Sequence, residues 1–263
     1  MAKVSVMYSG SSGNSTLISA SGTSVLIDAG VSAKKICDGL CCRDMDISDI
    51  NGIFITHAHT DHIKGLNVLL KKNKIPLYLT HGTYYEAVKQ GLNVEDRLIN
   101  IITPSMSVSV GELQLTPFLT HHDAKESVGY SIKLNDGRKI GFATDLGEIT
   151  NEVHDALSGS EFVILESNHD VNMLKNGCYP YMLKQRILGK YGHLSNKTCA
   201  EEILNLAKLG TTRFILGHIS RENNLPRLAY SETKNVLSSI GLYEDRDYIL
   251  ETAPPEGGRL HGF

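Results

Sequence analysis

The chain of 263 residues has no tryptophan, and that absence alone excludes nothing. Other absences are more useful. No apolar run is long enough to span a bilayer, which excludes a helical membrane protein. No basic-then-apolar leader follows Met1, so no export is expected. The five cysteines are odd in number, Cys41 and Cys42 are adjacent, and none has metal-site spacing. Reduced thiols in a cytoplasm are the simplest reading. Strong charge is lacking too: a net charge of −3 argues against indiscriminate nucleic-acid binding. No low-complexity linker divides the chain, so one domain over residues 1–263 is expected, long enough to bury an ample core.

Strand-like segments recur at Val4–Tyr8, Thr16–Ser19, Val25–Asp28, Ile53–Thr56, Leu77–Thr80, Ile99–Ile102, Leu113–Phe118, Tyr130–Leu134, Lys139–Thr144, Phe162–Glu166, Arg213–Leu216 and Tyr248–Glu251. Helical patterns fall at Ser32–Leu40, Leu66–Lys72, Thr83–Gln90, Asn151–Leu157, Tyr181–Tyr191, Asn196–Leu209 and Arg227–Ile240. Early and late strands alternate with helices, while the middle ones read as a meander. That mixture fits an αββα sandwich of two packed sheets. The Pro-Pro-Glu-Gly-Gly segment near residue 255 reads as a terminal turn or frayed tail.

The densest chemistry lies in His57-Ala58-His59-Thr60-Asp61-His62, directly after the apolar, β-branched Gly52–Thr56. Imidazole and carboxylate are ligands that zinc, manganese and iron accept. A loop leaving a buried strand can aim several of them at one point. A surface loop can also be rich in His and Asp, but four ligand-type side chains behind a core strand favour a metal site. Isolated candidates end three later strands: His121 or His122, Asp145 and His218. Each alone would more often be a turn, a cap or a structural residue.

His-x-His-x-Asp-His after an apolar strand resembles the signature of the metallo-β-lactamase-fold hydrolases. The resemblance implies an α/β (α+β) chain folded as a four-layer αββα metallo-β-lactamase sandwich. It also implies two divalent metal ions, zinc or manganese with iron as a further candidate. One would be held by His57, His59 and His122, the other by Asp61, His62 and His218, with Asp145 between them. His122 rather than His121 is selected because nucleases of the RNase J type carry the ligand six residues before the Val of a Val-Gly-Tyr like Val128-Gly129-Tyr130. Within the family, Gly10–Ser15, Glu166–Asp170, Tyr179-Pro180, Gly192–Asn196 and Glu222–Asn224 resemble the YycJ/WalJ subfamily, associated with 5′→3′ exonuclease activity on DNA. Glu166 and His193 resemble the Glu–His pair of tRNase Z-type enzymes, in which the His protonates the leaving oxygen. Asp61, Glu166 and His193 are therefore the candidate catalytic residues. The plainer reading makes His193 part of a helix start capped by Ser195.

Substrate contacts are open to two readings. Ser12 and Asn14 lie in a Gly/Ser turn that can present N–H and hydroxyl groups to a phosphate, or serve as ordinary hairpin chemistry. His169 can contact a phosphate or be structural. From Val171 to Ala200 there are no acidic residues, whereas Lys175, Lys184, Arg186, Lys190 and Lys197 are interleaved with Tyr179, Tyr181 and Tyr191. Such a stretch suits a phosphate backbone and stacked bases, or is a solvated helical face. Only 72 residues separate Asp145 from His218, too few for the cap domain of RNase J-like nucleases. The long arm of tRNase Z is also not evident, so DNA is favoured over structured RNA as partner. No membrane partner is expected, and oligomeric state is not legible. The expectation is two-metal phosphodiester hydrolysis. A small cyclic phosphodiesterase and a thioester or lactone hydrolase are the alternatives, whereas a non-catalytic scaffold would have lost ligands.

Overall fold

The computed structural model describes residues 1–263. Strands β1 (Lys3–Tyr8), β2 (Ser15–Ala20) and β3 (Thr23–Ile27) form a meander, followed by helix α1 (Ala33–Cys41) and strand β4 (Gly52–Phe54). The first half continues with α2 (Thr60–Ile63), α3 (Leu66–Lys72), β5 (Leu77–Thr80), α4 (His81–Lys89) and β6 (Ile99–Ile102). A second meander comprises β7 (Val108–Val110), β8 (Leu113–Leu119), β9 (Val128–Leu134) and β10 (Lys139–Ala143). Then come α5 (Asn151–Leu157), β11 (Phe162–Glu166), α6 (Val171–Asn176), α7 (Tyr181–Leu188), α8 (Asn196–Lys208), β12 (Arg213–Gly217), α9 (Pro226–Ser238), β13 (Ile249–Thr252) and β14 (His261–Gly262).

The strands build two sheets, ordered β14-β1-β2-β3-β4-β5-β6 and β13-β12-β11-β10-β9-β8-β7. Each has three antiparallel pairings on one side and three parallel ones on the other, and the switch falls on the central strand, β3 or β10. Three apolar cores separate four layers. Val4, Ile18, Phe54, Leu115, Tyr130 and Phe162 pack between the sheets. Leu26, Ile53 and Leu77 pack on α1 and α3, and Val163, Phe214 and Leu250 on α5, α8 and α9. This is the αββα sandwich expected from the sequence.

One joint fixes the sheets beneath the site. Phe54 stacks on Tyr78 at 4.4 Å and meets Tyr130 edge-on at 5.7 Å. The Tyr130 hydroxyl, fully buried, donates to the Ile55 carbonyl at 2.6 Å, two residues before His57. A buried hydroxyl needs such a partner. The strand predicted at Ile53–Thr56 ends at Phe54, because the Thr56 N–H is taken by the Asp28 side chain at 2.9 Å instead of a ladder carbonyl.

The structure corrects the tail. Residues near 255 are not a frayed end: β14 pairs with the open edge of β1, Arg43 and Ser5 both donate to the Gly258 carbonyl, and Lys35 pairs with Glu256 at 2.8 Å. An unpaired β1 edge would leave its N–H and C=O groups without partners. The early strands also depart from simple alternation with helices, since β1 to β3 are antiparallel neighbours. Short elements β7, β14, α2 and α6 had no sequence signal of their own. Helix α7 stops at Leu188, before Gly189, rather than at Tyr191.

Candidate metal centre

The carboxyl ends of β3, β4, β8, β10, β11 and β12 open on one edge of the sandwich, and the loops leaving them carry the candidate ligands. This is the usual place for a site in sheets with parallel strands. Asp28, Asp145 and His218 sit just past β3, β10 and β12 in left-handed backbone, with φ of 64°, 58° and 51°. Non-glycine residues rarely hold that conformation, and it turns each side chain back over the strand end. Close packing explains two neighbouring glycines. A Cβ on Gly30 would overlap the Asp61 carbonyl, and one on Gly147 would overlap the Lys190 backbone.

Three imidazoles converge. His57 Nε2 lies 3.0 Å from His59 Nδ1, which lies 3.3 Å from His122 Nε2. Each remaining ring nitrogen of His57 and His122 is occupied: Thr56 Oγ1 lies 3.0 Å from His57 Nδ1, and His122 Nδ1 donates to the Gly192 carbonyl at 3.0 Å. These bonds keep the protons on Nδ1 and turn the Nε2 lone pairs inward. Burial holds His57 and His122 below the ordinary histidine range, so both are neutral bases. Tetrahedral ligands at bond lengths of about 2.0–2.1 Å stand about 3.3 Å apart, which these nitrogens match. Without a cation, facing lone pairs would repel.

A second set adjoins the first. His62 Nε2 lies 3.3 Å from Asp145 Oδ2 and 3.6 Å from Asp61 Oδ2. The ligand atoms of Asp61, His62 and His218 lie within 4.8 Å of one another. Asp145 Oδ2 is buried and accepts no hydrogen bond, a costly state unless a cation faces it. The donor set therefore fits divalent metal ions, and Asp145 stands between the two groups: its Oδ1 is 3.1 Å from His218 Nδ1 and 3.9 Å from His122 Nε2.

Two buried carboxylates hold the rings. Asp28 Oδ2 accepts from His62 Nδ1 at 2.8 Å, and Asp28 also accepts from the Thr56 N–H and hydroxyl. Burial lifts the Asp28 carboxyl above its usual range. Burial works against a charged His62, but Asp28 and Asp145 outweigh it and raise its pKa well above the usual value. In the metal-free protein these carboxylates favour the imidazolium, and its Nδ1–H is donated to Asp28.

Glu166 does the same work twice. Its Oε1 accepts from His193 Nδ1 at 2.8 Å and His218 Nδ1 at 2.7 Å. Its Oε2 accepts the Leu146 and Leu194 N–H groups at 3.2 and 3.0 Å. Burial alone would raise its pKa, yet the two histidines bring it down to about 2. Burial likewise opposes charge on His218, but Asp145 and Glu166 push it up to about 9. His193 rises for the same reason, with Glu166 as the main opposing charge to burial. Its ring lies 5.1 Å from that of His122 and 5.2 Å from that of His218.

The remaining candidates take varied positions. His121 is turned outward to Glu148 at 2.6 Å and to the Tyr191 ring. Asn14 is buried: its Nδ2 faces His62 Nε2 at 3.0 Å and the Asp61 carbonyl at 3.3 Å. Ser12 is exposed and accepts from Arg221 at 3.1 Å. His169 is buried with neither ring nitrogen hydrogen-bonded, and burial lowers it to about 4. Arg186 pairs with Asp123, whose other oxygen lies 3.3 Å from His122 Nε2. The Lys184 ammonium donates to the Lys175 carbonyl at 2.8 Å, away from that group.

The sequence reading passed over Asp28, Thr56 and Asp123. For Asp28 a signal existed: Ile27-Asp28-Ala29-Gly30 repeats the strand-Asp-x-Gly pattern of Ala143-Thr144-Asp145-Leu146-Gly147. The buried asparagines are also informative. Asn168 donates to the His218 carbonyl at 2.9 Å, and Asn224 to the Ser167 and Asn168 carbonyls and Asn196, tying together the loops of Glu166, His193 and His218.

Residues 23–219 match the family model described as "Beta-lactamase superfamily domain". The chain is 34% identical over 255 residues to the exodeoxyribonuclease WalJ of Streptococcus pneumoniae, covering 96% of this chain and 94% of the relative. It is equally 34% identical to the exodeoxyribonuclease YycJ of Bacillus anthracis, over 96% of this chain and 95% of that one. Among solved structures it resembles the metallo-β-lactamase-fold protein YhfI of Bacillus subtilis, with TM-score 0.74, 15% identity and full coverage of both chains. It also resembles the short form of human tRNase Z, with TM-score 0.65, 16% identity, and coverage of 99% and 98%. Those two likenesses carry the fold alone. With its donors on one edge of two matched sheets and its relatives aligned nearly end to end, the chain belongs to the metallo-β-lactamase-fold hydrolases, in the group of WalJ and YycJ.

Proposed function

We propose that this protein is a 5′→3′ exonuclease that hydrolyses the phosphodiesters of DNA with two divalent metal ions, zinc or manganese. One observation carries the reading: His193, oriented by Glu166, stands beside two convergent donor groups that share Asp145. Ester hydrolysis at phosphorus needs charge stabilisation and a proton for the leaving oxygen, and these residues suit both. The names of WalJ and YycJ support DNA as the substrate.

His57, His59 and His122 would hold one ion, and Asp61, His62 and His218 the other, with Asp145 shared. Bound there, the ions would supply an activated nucleophile and neutralise charge on the phosphoryl oxygens. The chain supplies the rest. Glu166 keeps the proton of His193 on Nδ1 and favours the imidazolium, so Nε2–H can protonate the leaving oxygen. Asp28 and Thr56 fix the tautomers of His62 and His57. Asn14 packs against Asp61, while Ser12 with Arg221, His169, Lys184 and Arg186 are the proposed substrate contacts. No helix is long and apolar enough to cross a membrane. Five cysteines, all free, support a cytoplasmic setting.

The test is incubation of purified, metal-loaded protein with end-labelled linear DNA, the same sequence as RNA, and bis(para-nitrophenyl) phosphate. Stepwise mononucleotide release from the 5′ end of DNA is expected. Cleavage of the small diester alone would sink the nuclease reading in favour of a small-molecule phosphodiesterase.

A further inference from the structure

Helix α4 and the loop after β8 meet beside the candidate metal donors, and there an exposed tyrosine lies between two lysines, with Glu86 and Glu126 alongside. Tyr85 is 45% exposed, with Lys89 Nζ 4.3 Å and Lys125 Nζ 4.5 Å from its ring centroid. Neither lysine pairs with a carboxylate, although two glutamates are near. Glu86 accepts the Lys125 N–H at 3.1 Å, and Glu126 accepts the Gly82 N–H. Each acid accepts a backbone N–H and keeps its charge, and both ammonium groups lie against the ring.

The patch is fixed to the site at two points. Gln90, next after α4, donates to the Ala58 carbonyl at 2.6 Å, between His57 and His59. Lys125 follows His122 by three residues, which span at most about 11 Å of chain. The acid-free stretch from Val171 to Ala200 does not include these residues, and nothing in their sequence spacing links Tyr85 to Lys125.

We propose that Tyr85, Lys89 and Lys125 form a landing site for single-stranded DNA: a base stacks on the tyrosine ring and the adjoining phosphates take up the two ammonium groups. The occupant follows from the chemistry. An exposed cation–π contact is weaker than base stacking, so a nucleotide can displace the lysines from the ring. Phosphates then give the lysines the anionic partners the protein withholds. The inference rests on the DNA exonuclease reading and adds where the strand leaves the metals.

The test uses metal-loaded full-length protein and a fluorescein-labelled oligothymidylate with phosphorothioate links that resist cleavage. Tyr85→Ala is expected to weaken its binding roughly 5- to 150-fold. KM for cleavable single-stranded DNA should rise in step, and hydrolysis of bis(para-nitrophenyl) phosphate should stay unchanged. Tyr85→Phe keeps the stacking face and should bind as wild type. Lys89→Ala and Lys125→Ala should each lower the salt slope of binding by about 0.7. Wild-type binding by Tyr85→Ala, or equal losses in Tyr85→Phe and Tyr85→Ala, overturns the landing site. So does a wild-type protein that degrades duplex DNA but does not bind the oligothymidylate; that result leaves the nuclease reading standing. A wild-type protein that neither binds nor cleaves any DNA overturns both.

Discussion

The two halves of the sandwich have the same strand plan and put it to different uses. In each sheet the central strand, β3 or β10, is antiparallel to one neighbour and parallel to the other, and each is followed by an aspartate in left-handed backbone and then an x-Gly. Asp28 in the first half is saturated: Thr56 and His62 donate to its two oxygens. Asp145 in the second half keeps Oδ2 bare towards His62. The difference comes from the next parallel strand. After β4 the chain offers donors, so Asp28 becomes the holder of one imidazole, His62. Strand β11 ends in Glu166, which takes over the holding of His193 and His218 and leaves Asp145 free to face a cation. Equivalent backbone positions thus diverge because of what the neighbouring strand end donates or accepts.

The comparison breaks if the two aspartates prove interchangeable. Asp145→Ala is expected to lose at least one ion and on the order of 10⁴-fold in rate, since several kcal/mol of charge stabilisation depend on the pair of ions. Asp28→Asn should instead lower metal affinity about 10- to 100-fold, with most of the rate restored by excess metal. Elemental analysis and hydrolysis across a metal titration separate the two. Equal losses that metal does not restore would give both aspartates one role.

His193 belongs to the second half and is proposed as a proton donor rather than a metal ligand. His193→Ala should retain both ions and lose roughly 10²- to 10⁴-fold on DNA, where the leaving oxygen needs a proton. On bis(para-nitrophenyl) phosphate, whose leaving group needs little help, the loss should be far smaller. The same loss on both substrates would remove His193 from proton donation.

Glu166 and His218 make the metal-free protein sensitive to pH in both directions. Glu166 is lowered from 4.5 to about 2, so its contribution to stability is present above pH 4.5 and fades as pH falls towards 2. His218 is raised from 6.5 to about 9, so its contribution is complete below pH 6.5 and fades as pH rises through 9. The metal-free protein should therefore show its highest urea midpoint between those limits. Glu166→Gln should be less stable at that maximum and flatter on both sides, because Glu166 also helps to raise His218. A wild-type midpoint that keeps climbing above pH 9 would contradict the assignment.

How far these features could be read beforehand depended on local density. Four ligand-type side chains within six residues announce themselves, whereas Asp145 and His218 are single residues at strand ends and acquire meaning only as members of an ordered set. Asp28 looks like any turn aspartate, because burial and the Thr56 partner are set by packing of β3 against β4. Tyr85 and Lys125 meet across forty residues of chain, which no local pattern encodes. The tail near residue 255 reads as loose from its Pro and Gly content, yet β1 supplies the edge that orders it.

The smallest expected effect concerns α7, the basic helix of the second half, which buries none of its residues. Lys184 and Arg186 are not equivalent there. Arg186 pairs with Asp123 beside His122, so a strand entering the metal centre would pass within its reach and can replace the carboxylate by a phosphate. The Lys184 ammonium instead sits on the Lys175 carbonyl at the end of α6. Arg186→Ala should lower the salt slope of oligothymidylate binding by about 0.7, and Lys184→Ala by much less. Metal content should be wild type in both. Equal slopes in the two variants would mean that α7 lies along the strand as a whole. The landing site on α4 would then be one wall of a groove whose other wall is α7, and the two halves would share the substrate as they share the metal donors.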